Sequence, residues 1–160
     1  MAKSKKRAAS GKSGKGPVDA VALLKADHRE VSGWFKEFES ARKESRKQEL
    51  ASKICHALRV HTEIEEEIFY PAFVAATKDQ DMNDEALVEH DGAKNLIGKI
   101  EKSSPGEELF DAQVHVLSEM IKHHVKEEEQ PGGMFAEAKK SKMDLKAIGA
   151  AMAERKAELA

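Results

Sequence analysis

Four stretches of this chain carry apolar residues alternately three and four positions apart, and each stretch interrupts its own run with a histidine. The first is Val21, Leu24, His28, Val31, Phe35, Phe38. The second is Leu50, Ile54, Leu58, His61, Glu65, Ile68, Ala72. The third is Leu87, His90, Ile97, Glu101, with Lys94 on the same stripe. The fourth is Phe110, Val114, Leu117, Ile121, His124, Glu128. Steps of three and four keep residues on one helical face. Helices that must each bury one stripe do so by packing together, and no strand-period pattern competes.

The predicted helices span about 18–43, 46–77, 84–102 and 107–129. Pro17 and Asp19 are start signals for the first. Pro71 predicts a kink or break in the second, and the acidic segment 78–84 is the expected connection to the third. Ser103-Ser104-Pro105-Gly106 and Gln130-Pro131-Gly132-Gly133 stop the third and fourth. The expected fold is all-α, an up-down-up-down four-helix bundle over 17–136. A C-terminal amphipathic helix over 137–160, around Leu145, Ile148, Met152 and Leu159, packs on it.

Composition agrees with this reading. Charged residues make up 35%, aromatics 5%, and there are four prolines in 160 residues, which favours helices over sheets. The net charge of -2 conceals an asymmetry. Residues 1–16 carry six basic residues (Lys3, Lys5, Lys6, Arg7, Lys12, Lys15) and no acid, leaving 21 basic against 29 acidic residues over 17–160. With nothing to bury, 1–16 is predicted to be a disordered basic tail. No aromatic residue interleaves its lysines, so nucleic acid is not an expected partner beyond simple charge attraction.

Cys55 is the single cysteine. That excludes an intramolecular disulfide and a multi-cysteine zinc site, and Cys55 reads as a small core residue. No run of about 18 apolar residues exists to cross a membrane. The N-terminus lacks the apolar region of a signal peptide. The expected location is the cytoplasm.

The histidines repeat. His61-x-x-x-Glu65 recurs as His124-x-x-x-Glu128, and His28 and His90 precede them by 33 and 34 residues. Positions i and i+4 share a helical face. Counted from a reversal near residues 44–45, His28 and His61 fall at one depth. Counted from Pro105, His90 and His124 differ by about one turn, roughly 6 Å, which predicts a staggered second pair. Two buried glutamates and four buried histidines are costly without partners. Metal ions would partner all six, and imidazole with carboxylate suits iron, manganese or zinc. The candidate metal ligands are therefore His28, His61, Glu65, His90, His124 and Glu128.

Other candidates fall out of phase. His56 lies about 140° from His61, and His115 and His123 about 180° and 100° from His124. Glu127 has Ile64 as its counterpart on the second helix. Glu66, Glu67 and Glu129 read as a solvated or supporting rim. No His-Glu-x-x-His is present to support a zinc protease.

These residues resemble the haemerythrin-like (HHE) cation-binding family. The matches are Asp27-His28; His61 to Pro71, including Glu65-Glu66-Glu67 and Tyr70; Glu89-His90; and His124 to Glu129, over about residues 18–136. The resemblance implies a bundle with a non-haem di-iron centre, two irons per chain, with four terminal histidines and Glu65 and Glu128 as bridges. The chain departs from the oxygen carriers of that family at two points. Lys94 stands where they have a second histidine, and Glu128 stands four residues after its histidine where they have an aspartate at five. The implied function is binding of, or reaction with, O2, NO or peroxide. The alternatives are a peroxide-consuming, catalase-like enzyme and a non-catalytic iron or redox sensor.

Overall fold

The computed structural model describes residues 18–160, so the basic tail and Pro17 lie outside the described residues. Asp19 accepts a hydrogen bond from the Ala22 amide at 2.8 Å and starts α1, Ala20–Ser40. The next helix begins as α2, Glu44–Ile64, widens into a π-helical segment, Glu65–Phe69, and continues as α3, Tyr70–Thr77. Lys78, at φ 62°, terminates it in the left-handed region. Asp79 then caps α4, Gln80–Glu101, through the Met82 amide at 3.0 Å. The expected connection of 78–84 therefore shrinks to two residues, because the cap at Asp79 lies five positions before the predicted helix start at 84. Beyond it come α5, Phe110–Glu129, the short α6, Met134–Lys140, and α7, Leu145–Leu159. No strand occurs among the described residues.

Helices α1, α2, α4 and α5 pack in a closed ring, each against the next, as an up-down-up-down bundle. Two apolar clusters fill it. One holds Val31, Phe35, Leu50, Ile54, Leu58, Ile97, Phe110 and Leu117. The other holds Val21, Leu24, Ile64, Phe69, Phe73, Met134, Phe135 and Met152. On every helix of the ring the buried histidine falls between the two clusters. The polar layer is thus clamped above and below by carbon. α7 packs on α1, α2 and the π segment. Gly149 makes this possible, since a Cβ there would lie 2.5 Å from the Val18 carbonyl oxygen and 2.7 Å from the Ala20 nitrogen.

Three expectations are corrected. The buried stripe of α4 is Asn83, Ala86, His90, Ala93, Ile97 and Ile100, whereas Leu87 and Glu101 are exposed and Lys94 is half-buried. Small and polar residues carry the first half of that stripe, so Leu87 marks the wrong phase there. After Glu65 the buried positions on the second helix are Phe69, Tyr70 and Phe73, not Ile68 and Ala72. The π turn takes one extra residue and shifts the register by one. Nor does a one-turn stagger separate the second histidine pair. The connection 102–109 is a string of short turns, closed by Glu107 N–H to Ser104 O and Phe110 N–H to Glu107 O, rather than a symmetric reversal at Pro105.

Candidate metal centre

The π segment sets one side of the site. The Tyr70 amide donates to the Glu65 carbonyl, a step of five residues. Pro71 has no amide to give, and its ring would crowd the Glu67 carbonyl in a regular α-turn. The wider turn relieves that crowding. Its consequence is that Glu65 and Tyr70, five apart, both point into the bundle, where they are 0% and 1% exposed.

All six residues singled out by spacing come together and all are buried. The Nε2 atoms of His28 and His61 lie 3.2 Å apart, and those of His90 and His124 also 3.2 Å. Glu65 Oε1 is 2.6 Å from His61 Nε2 and 3.7 Å from His90 Nε2. Glu128 Oε1 is 2.5 Å from His124 Nε2 and 3.9 Å from His28 Nε2. Each carboxylate therefore reaches from one pair to the other. The six divide into two triads with donor atoms mutually within 4.8 Å, His28, His61, Glu128 and Glu65, His90, His124; a third such group, Glu89, His123 and Glu127, lies at the surface.

Behind each ring stands a carboxylate facing Nδ1. Asp27 is 3.0 Å from His61, Glu66 3.1 Å from His90, Glu129 3.4 Å from His28 and Glu89 3.5 Å from His124. The hydrogen bonds of Asp27 and Glu66 fix which nitrogen of His61 and His90 carries the proton and turn the other toward the centre, whereas Nδ1 of His28 and of His124 makes no hydrogen bond. Lys156 of α7 sits 2.5 Å from Asp27 Oδ1, and Lys94 sits 2.6 Å from Glu66 Oε2. Glu66 and Glu129 thus form part of a supporting rim, while Glu67 is tied to Arg155.

Spacing does not reach Tyr70. Its hydroxyl lies 3.0 Å from His90 Nε2 and 3.4 Å from His124 Nε2. The signal for it is Pro71 directly after an aromatic pair, which marks a local change of helical register. His56 and His115 are exposed on the outer surface. His123 is exposed too, beside Glu127 at 3.1 Å and Glu89 at 3.8 Å. Cys55 is buried in the core, and burial pushes its thiol up to about 12.

Charge alternates within each pair. Burial and the neighbouring His61 push His28 down to about 3. Burial opposes charge on His61 as well, but Glu65 and Asp27 outweigh it and push that ring up to about 10. His90 is lowered by burial and by His124. For His124 burial is outweighed by Glu128 and Glu89, and it rises to about 11. Burial and the Glu65 carboxylate push Glu128 up to about 8. Burial and the same carboxylate raise Tyr70 well above the ordinary phenol range.

The donor set fits metal ions. All four carboxylate oxygens of Glu65 and Glu128 are buried without a hydrogen-bond partner. The short approaches to His61 and His124 do not satisfy them, because the ring N–H does not point along those lines. A native core rarely leaves such atoms unpaired. Oxygens and imidazole nitrogens converging this way offer ligands to divalent or trivalent ions.

The Hemerythrin HHE cation binding domain family model matches residues 19–131. A DNA nickase from Nostoc sp. is 29% identical over 110 residues, 67% of this chain, and the chain spans only 30% of that relative's length. The fold is similar to the crystal structure of a hemerythrin HHE cation binding domain-containing protein from Mycobacterium kansasii. That likeness has a TM-score of 0.73 at 23% identity and covers 89% of this chain and 87% of the other. With its buried His/Glu clusters between four packed helices, this chain belongs to the hemerythrin HHE cation-binding domain family.

Proposed function

We propose that the chain holds two iron ions in its polar layer and uses them to bind, or react with, O2, NO or peroxide. His28 and His61 would hold one ion and His90 and His124 the other, with Glu65 and Glu128 shared between them. The observation that carries this reading is the set of four orphaned carboxylate oxygens within reach of four imidazoles. When bound, a di-iron pair supplies redox exchange and a place for a small oxidant to attach.

The residues of the chain do the rest. Asp27 and Glu66 orient His61 and His90 through Nδ1, and Glu129 and Glu89 set negative charge beside His28 and His124. The two apolar clusters keep water from the layer. Tyr70 keeps its proton at neutral pH and presents a hydroxyl to the His90–His124 pair. That hydroxyl favours a second reading, peroxide consumption with turnover, because a buried phenol beside the pair can give a hydrogen bond or a proton to a bound oxidant. The nickase activity in the Nostoc relative's name belongs to a protein of which this chain matches under a third, and the polar layer gives no reason to transfer it.

Metal analysis and optical spectra of the purified chain, before and after dithionite, air and peroxide, test the first reading. The expectation is about two irons per chain and a visible charge-transfer band that responds to reduction. A colourless, iron-free protein from iron-replete cells overturns it. Peroxide consumption by the loaded chain, compared with Tyr70→Phe, decides between binding and turnover.

A further inference from the structure

Next to the polar layer, on the side of the larger apolar cluster, the bundle holds a pocket of about 370 Å³ that is open to solvent on one side. It has a sequence cause. The α4 stripe runs Ala86, His90, Ala93, Ile97, so the position one turn beyond His90 is filled by an alanine. The facing helices contribute Val31, Leu58, Met120 and Ile121 at that level. None of these spans the gap, and the space between four helices stays open. Ala93 is 4% exposed, Val31 3% and Leu58 4%, so the inner walls are true core rather than surface groove. Exposed His123 and Glu119 stand at its edge.

We propose that this cavity is a binding site for a small apolar organic molecule, of the size of a substituted benzene or a short hydrocarbon. Two observations lead there. The walls are almost entirely carbon, because the Nε2 atoms of the lining histidines converge on one another and carboxylates cover their Nδ1 atoms. Water finds few of the two to four polar partners it needs on such walls, so an apolar guest displaces it readily. The volume is also far above the roughly 30 Å³ of one water molecule and within the range of small-molecule sites, about 300–1,000 Å³. O2 or peroxide alone leaves most of it unfilled. Half-buried Met120 adds a flexible wall that can close on guests of different shape. The inference rests on the shape and carbon walls of a pocket that shares four lining histidines with the proposed metal layer. If the metal reading holds, the guest lies beside the histidine layer.

Ligand-observed ¹⁹F NMR of fluorobenzene with the full chain as purified tests it, since the signal is read from the ligand whether or not metal is bound. The expected result is saturable shift and broadening, with a Kd of about 1 mM or tighter. Ala93→Phe and, independently, Val31→Phe should plug the cavity and weaken binding at least about tenfold. Each variant is first checked for unchanged helical circular dichroism. No saturable response from the wild-type chain overturns the proposal, whatever the variants do. So does undiminished binding in a folded plug variant. Metal content is measured on the same samples, so loss of the metal reading and loss of this one are told apart.

Discussion

His28 and His61 meet with Nε2 atoms 3.2 Å apart, and His90 and His124 meet at the same distance. Each pair has two carboxylates behind it, and in each pair one of those carboxylates is capped by a lysine. The surroundings then diverge. The ring of His28 stacks on Phe135, with centroids 5.8 Å apart and planes 10° from parallel. The second pair faces the Tyr70 hydroxyl instead. One half is closed by carbon and the other by an oxygen that can donate or accept. The lysines differ as well. Lys94 belongs to α4, the helix of His90 itself, whereas Lys156 arrives from α7, outside the four-helix ring. A repeated sequence device has thus been finished by different parts of the chain, and the two halves should respond differently to change.

The largest expected effect removes what the halves share. Glu65→Gln keeps the shape and takes away the charge between both pairs. Metal affinity at both should fall by more than the roughly 10–100-fold typical of an outer partner, measured by competition with a chelating dye. Loss at only one pair would break the idea of a shared carboxylate. Next is Tyr70→Phe. It should alter the optical spectrum of the metal-loaded protein and cost about 1 kcal/mol of stability through a lost buried hydrogen bond. Metal content should stay near the wild-type value. If the variant instead empties the second half, Tyr70 is a principal ligand rather than a supporting hydroxyl.

The pH response follows from the charges. In the metal-free protein Glu128, His61 and His124 have folded values raised to about 8, 10 and 11. Their stabilising contributions are complete below their unfolded values and are lost as pH rises through those folded ones. His28, lowered to about 3, works in reverse, as does the lowered His90. Their unfolded forms take up protons first, so stability falls as pH drops below about 6.5. Stability in chelator should therefore be greatest near pH 6.5 and fall from there to pH 8, as read from urea midpoints. Metal must displace the protons on His61, His124 and Glu128, so its affinity should rise with pH across the same interval. A flat profile in both measurements contradicts the assigned charges.

The smallest effects distinguish the lysines. Both are more than a third exposed, at 44% for Lys156 and 38% for Lys94, so neither contributes much to stability. Lys156→Ala should weaken metal binding at the first pair by roughly two- to tenfold, and Lys94→Ala at the second, each acting through its carboxylate. Equal effects of both variants on both pairs would remove the distinction between the halves.

Much of this was legible in the chain because large side chains carried it. Val21 to Phe38, Leu50 to Glu65 and Phe110 to Glu128 mark their buried faces with bulky apolar residues at regular steps. The α4 stripe was not, since Asn83, Ala86 and Ala93 are buried by position and not by hydrophobicity. Tyr70 escaped because a regular 100° step carries residue i+5 off the face, and only the π turn before Pro71 brings it back. Lys94 looked like a missing histidine. In the fold it lies beside Glu66 and so takes part in holding His90. Of the supporting carboxylates, Glu66 and Glu129 were legible as a rim, whereas Asp27 and Glu89 were not assigned that part. Asp27 serves a histidine 34 residues away, a contact that exists only once the helices have paired.

Metal stoichiometry of three proteins tests the central claim most directly: the wild-type chain, His61→Ala and His90→Ala, each isolated from iron-replete cells with its helical content verified. Two separate halves predict about two, one and one irons per chain, with the remaining iron bound to the opposite pair in each variant. A wild-type chain that carries no metal, or one whose metal content neither substitution changes, contradicts the account.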